Sequence, residues 1–113
     1  EDTDDVRELL QMGLSLHGFT TQGAANGKEA LELLAIITPP CVILLDLMMP
    51  VMNGWEFQAR LSTDPRFTNI PIVVISADGN IDQRARELGA VSYLKKPIGL
   101  TKLIEVAKQY CTV

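Results

Sequence analysis

The sequence predicts an α/β domain: a parallel sheet with helices on both faces. Three observations carry this. Segments with helical apolar spacing alternate along the chain with short apolar runs. The run Cys41 to Leu45 is continuously apolar and closes on an acid, as in a parallel strand covered on both sides. The helical segments between runs are also long enough to make the right-handed crossovers that parallel strands require.

Asp4 to Leu16 places Val6, Leu9, Leu10, Gly13 and Leu14 at helical spacing, and Gly18 ends that helix. Phe19 to Ala25 is Thr-rich without helical period and reads as a modest strand, turned by Asn26-Gly27. Asn26 can cap the next helix, with Glu29 three residues on, and Ala30, Leu31, Leu34 and Ile37 form its buried stripe. Pro39-Pro40 stops it. The strand Cys41 to Leu45 delivers Asp46 at its carboxyl end, and after the loop Leu47 to Asn53 a helix is expected over about Gly54 to Leu61. Ile70 to Ile75 is the next strand, and Asp82 to Leu88 a short polar helix with Ile81, Ala85 and Leu88 inward. Val91 to Leu94 is the following strand. Leu100, Leu103, Ile104, Ala107 and Cys111 stripe the last helix.

A chain of 113 residues implies one compact domain spanning 1–113, without a separate substrate or effector module. With 47% hydrophobic and 21% charged residues it has a globular composition. Its apolar runs are too short to cross a bilayer and no leader opens it, so a cytoplasmic protein without membrane association is expected. A net charge of −4 disfavours direct nucleic-acid binding. Cys41 and Cys111 lack CxxC spacing, and the expectation is two inert thiols, Cys41 acting as a small buried hydrophobe.

In open α/β sheets the ligand site lies beyond the carboxyl ends of the strands. Asp46, Ser76, Lys95 and Lys96 stand there, and Glu1 and Asp2 precede the first helix, where a strand feeding it would end. Carboxylates, a hydroxyl and an ammonium suit phosphoryl transfer to a carboxylate. Glu1, Asp2 and Asp46 offer hard oxygen ligands for Mg²⁺. Lys96 can hold a phosphoryl oxygen as a point charge, Ser76 can donate to another, and Asp46 can act as nucleophile.

These residues resemble the receiver domains of response regulators. Glu1-Asp2 is similar to the family's acidic pair, and Asp46-Leu-Met-Met-Pro-Val-Met-Asn-Gly54 to its phospho-acceptor loop. Ser76-Ala77 resembles its hydroxyl switch, and Tyr93-Leu-Lys-Lys96-Pro97 its aromatic and lysine pair. The resemblance implies a flavodoxin-like doubly wound sheet of order 2-1-3-4-5. Asp46 would be the phosphoryl acceptor. Asp2, Asp46 and the Met48 carbonyl would ligate Mg²⁺, with Glu1 acting through water. It also implies a cis Lys96-Pro97 bond that aims the lysine into the site. Phosphorylation would draw the Ser76 hydroxyl to the phosphate and turn Tyr93 inward, reshaping a surface around Arg84, Tyr93, Lys95 and Lys102. Implied partners are a sensor histidine kinase or histidine phosphotransfer protein and a downstream output protein or domain. The chain would be a phosphoprotein in a two-component phosphorelay rather than a turnover enzyme.

The chain also departs from the family pattern. The apolar first strand, central in that order, does not precede Glu1, and its loss would leave a gap of roughly 10 Å in the sheet. Several upstream residues are therefore expected in the natural protein. Asn53 stands where Asp is frequent, Gly99 where a capping side chain is usual, and Met48 and Asp78 where the family tunes phosphate loss.

Simpler roles exist for the same residues. Asp46 could merely end a strand, and Ser76 and Lys96 acquire a role only through it. Lys95 is expected to be solvated, and Met48, Met49 and Met52 to fill gaps. His17 is expected at a helix C-terminus, Trp55 in packing, and Tyr93 is set apart from an edge aromatic only by the family likeness. Two other functions are compatible with parts of this pattern: a receiver-like binding module that is not phosphorylated, and an aspartyl-phosphate phosphatase. The phosphatase needs a second acid two residues past the nucleophile, where Met48 stands.

Overall fold

The structure is a computed structural model that describes residues 4–47 and 52–111. In chain order it contains α1 (Asp4–Leu16), α2 (Gly27–Leu34), β1 (Ile43–Asp46), α3 (Gly54–Leu61), β2 (Ile72–Ser76), α4 (Ile81–Glu87), β3 (Ser92–Lys95) and α5 (Leu100–Tyr110). The described strands form one parallel sheet in the order β1-β2-β3. Strand starts fall one or two residues later than expected, because pairing begins only where a neighbour is in reach. Ile43 opens its ladder opposite Ile72, past Cys41 and Val42.

Alternation along β2 distributes the core. Val73 and Ile75 face the cluster of α1 and α5, built on Leu14, Leu94, Leu103, Val106 and Ala107. Ile72 joins Leu34, Leu45, Phe57, Leu61 and Phe67 beneath α2 and α3. Val74 meets Leu47, Ile81, Ala85 and Leu88 beneath α4. The period of two sends successive side chains to opposite faces, so one strand holds both helical layers.

Local sequence explains the helix ends. Gly18, at φ 91, follows α1 in the left-handed region, and the Phe19 N–H bonds to the Leu14 carbonyl at 3.1 Å across it. His17 lies 3.0 Å from the Gly13 carbonyl through Nδ1, the helix-end role expected of it. Asn26 caps α2 by accepting from the Glu29 N–H at 2.9 Å. Asn53 and Glu56 form a reciprocal capping box that starts α3 at Gly54. α5 begins at Gly99 without a side-chain cap. Since a Cβ at Gly99 would meet nothing within 4 Å, Gly99→Ser is expected to stabilise the fold by about 0.5 kcal/mol, read as a small rise in Tm.

Several expectations are corrected. Phe19 to Ala25 is not a strand: strand character depends on a ladder partner, and among the described residues none lies alongside it. Among the described residues the sheet holds the 3-4-5 part of the order 2-1-3-4-5, and β1 has a ladder on one side only. Leu9 is 66% exposed, because it lies about 100° around α1 from Leu10, outside the stripe of Leu10, Gly13 and Leu14. Trp55 is exposed and packs in none of the three clusters; the inward position two residues on belongs to Phe57. Cys41 and Cys111 are not separate thiols but a disulfide, and Cys41 is exposed. α5 runs antiparallel to the strands, so its carboxyl end returns to the strands' amino ends, where Cys41 stands.

Candidate functional site

The carboxyl ends of the strands gather the chemistry. Asp46 ends β1 opposite Ile75, and the Leu47 N–H extends that ladder to the Ile75 carbonyl. Ser76 ends β2 opposite Lys95, and the Lys96 N–H bonds to the Ser76 carbonyl at 2.9 Å. Register therefore sets Asp46, Ser76 and Lys96 on three adjacent tips. Lys96 Nζ donates to Asp46 Oδ2 at 2.7 Å, with side chains 15% and 21% exposed. A bond between a lysine ammonium and a carboxylate is charge-assisted, and such bonds are short. The Lys96-Pro97 bond is cis, as the resemblance implied.

Ser76 is buried, and its Oγ accepts from the Asp78 N–H at 3.0 Å. Accepting this bond does not use the hydroxyl's own donor. Asp78 Oδ1 in turn accepts from the Asn80 N–H at 2.8 Å, and Oδ2 lies 3.5 Å from Arg84 Nε. The Asn80 N–H, and then the charge of Arg84, hold the Asp78 carboxyl below the usual carboxylate range. The Asp78–Arg84 link to α4 was not foreseen from the sequence. The helical turn that brings Arg84 back over the β2–α4 loop is its only advance sign.

Glu1, Asp2 and Met48 lie outside the described residues. Among the described residues no three His, Cys, Asp or Glu side chains cluster as a metal site. The Asp46 carboxylate is a hard oxygen donor at a partly open strand tip, and the remaining assigned donors are also oxygens. That set fits Mg²⁺, which prefers one or two carboxylates and keeps several waters. Tyr93 is 44% exposed on β3, and Lys95 is exposed as expected. Met52 packs against the α2–α3 cluster, in the gap-filling role expected of it.

Known proteins resemble this chain along nearly its whole length. A family model for the response regulator receiver domain matches residues 1–108. The chain belongs to the receiver family. It is 38% identical over 108 residues to "Response regulator MprA" of Mycolicibacterium vanbaalenii, covering 92% of this chain and 45% of that protein. It is also 31% identical over 112 residues to "Sporulation initiation phosphotransferase F" of Bacillus subtilis, covering 97% of this chain and 88% of that one. Among solved structures, Vibrio cholerae chemotaxis protein CheY4 superposes with a TM-score of 0.86 at 26% identity, covering 98% of this chain and 93% of the other. The receiver therefore has the flavodoxin-like fold expected of it. It spans about half the length of the MprA relatives it matches (45%). No described helix is long and apolar enough to cross a membrane.

Proposed function

We propose that this receiver takes a phosphoryl group on Asp46 in a Mg²⁺-dependent reaction and thereby switches the surface around Tyr93. The 2.7 Å Lys96–Asp46 pair at the converging strand tips carries the reading. A carboxylate oxygen attacks phosphorus, the donor's bond to phosphorus breaks, and the acyl phosphate forms on Asp46. Lys96 then moves its donor bond to a phosphoryl oxygen, and Ser76 donates to another from its buried position. Mg²⁺, held by Asp46 with Asp2, the Met48 carbonyl and, through water, Glu1, would supply positive charge against repulsion between nucleophile and donor.

The switch follows from what Ser76 and Tyr93 touch. The Ser76 Oγ is tied to the Asp78 N–H, so drawing the hydroxyl toward a phosphate pulls on the loop that Asp78 joins to Arg84 and α4. Exposed Tyr93 lines a groove of about 490 Å³ with Lys95, Lys102, Glu105 and Gln109, and inward rotation of the ring would reshape that groove. A new dianion shifts such an equilibrium through its differential contacts in the two states. The donor is a sensor histidine kinase or histidine phosphotransfer protein, the reader an output protein or domain, and the setting the cytoplasm. Each chain takes up a phosphoryl group as a signal rather than turning over substrate.

The test is incubation with acetyl phosphate and Mg²⁺, followed by intact mass analysis. One alkali-labile phosphoryl group per chain is expected, and none after chelation of the metal. Labelling that persists in chelator, or no labelling with metal present, overturns the proposal.

A further inference from the structure

The disulfide lies at the end of the sheet away from Asp46. Cys41 precedes β1, Cys111 directly follows α5, and their Cα atoms are 5.4 Å apart across a sequence separation of 70 residues. Five residue steps, at most roughly 16 Å at ~3.3 Å each, lead from Cys41 to the phosphoryl-acceptor position. The ring closed by the bond contains Asp46, Ser76, Tyr93, Lys96 and the whole of α5.

We infer that Cys41 and Cys111 form a reversible thiol–disulfide modification site that fastens the carboxyl end of α5 to the start of β1. Exposure of Cys41 leaves the bond open to attack by small thiolates, and exposed disulfides are the labile ones. The sulfurs lie at the edge of the core. The buried members of the adjoining cluster are Leu14, Phe19, Val73, Leu94, Leu103, Val106 and Ala107, and Cys111 only packs at its margin. A tether at Cys111 acts directly on α5. Its start has no side-chain cap, and its final residue is followed immediately by Cys111, whose N–H bonds to the Ala107 carbonyl at 2.8 Å.

The exchange balances with a glutathione-type disulfide as oxidant. The exposed Cys41 thiolate attacks one of its sulfurs, forming a mixed disulfide and expelling one glutathione thiolate. The Cys111 thiolate then attacks the Cys41 sulfur and expels the second. The protein loses two electrons and two protons, and two glutathione thiols appear. A reducing compartment favours the dithiol form, and oxidant closes the ring. This inference stands apart from the phosphorylation reading, since none of its readouts involves Asp46.

The test equilibrates the whole chain in reduced or oxidised glutathione, alkylates it and maps the peptides. Two alkylated cysteines are expected under reducing conditions. Under oxidising conditions none is expected, with the Cys41 peptide cross-linked to the Cys111 peptide. The oxidised form should melt roughly 10 °C higher, and amide exchange over residues 105–110 should slow about tenfold. Cys41→Ser should abolish both differences while keeping the circular dichroism of reduced wild type. The inference fails if both thiols stay alkylatable in oxidant, or if only mixed disulfides or cross-linked dimers form. It fails equally if the bond resists native-state reduction, or if the reduced chain unfolds.

Discussion

Asp46→Asn is expected to abolish phosphoryl labelling outright, because it removes the nucleophile while preserving the shape of the strand tip. The asparagine oxygen can still accept from Lys96 Nζ, so the ladder and the neighbouring tips keep their places. It offers no anionic oxygen to attack phosphorus, and its contribution to a divalent cation site falls with the charge. Asp78→Asn is the informative control. Asp78 is the other described carboxylate beside the tips, yet its oxygens are engaged by the Asn80 N–H and by Arg84. That variant should label to the same stoichiometry as wild type, with any change confined to how long the label lasts. Mapping the phosphoryl group to a residue other than Asp46, or undiminished labelling of Asp46→Asn, would remove Asp46 as acceptor.

The site was legible because strand-end chemistry is local. Asp46 and Ser76 each close an apolar run and Lys96 stands just past Lys95 at the end of a third, and parallel pairing in the observed register sets them on adjacent tips. Helix bounds were legible for the same reason: Asn26, Asn53 and Gly18 act on backbone groups within a few residues. What escaped was what depends on distant neighbours. Phe19 to Ala25 has strand-like composition, but an extended segment is a strand only beside a partner. Cys41 and Cys111 show no local spacing, and only the return of α5 to the strands' amino ends brings them together. Trp55 and Phe57 sit two residues apart on α3, and the packing role expected of Trp55 falls to Phe57, because only Phe57 meets the cluster beneath the helix.

Phe57 supplies the largest stability effect expected. Phe57 is 1% exposed among Leu34, Leu45, Leu61, Phe67 and Ile72, so Phe57→Ala removes most of a ring from a closed cluster drawn from α2, β1, α3 and β2. Lost burial plus the residual cavity should cost about 3–5 kcal/mol, a large share of the roughly 5–15 kcal/mol typical of a domain. Read by urea denaturation, this is a fall in midpoint of roughly 2 M. The damage also reaches the site. α3 starts with the Gly54 N–H bonded to the Leu47 carbonyl at 3.0 Å, one residue past Asp46. A Cβ at Gly54 would stand only 3.0 Å from Leu47 Cα, so this approach depends on α3 staying seated. Trp55→Ala, on the same helix but 37% exposed, should cost less than about 1 kcal/mol. Equal losses from the two substitutions would mean that α3 is not anchored through Phe57, and that the chain following Asp46 is held in place by other contacts.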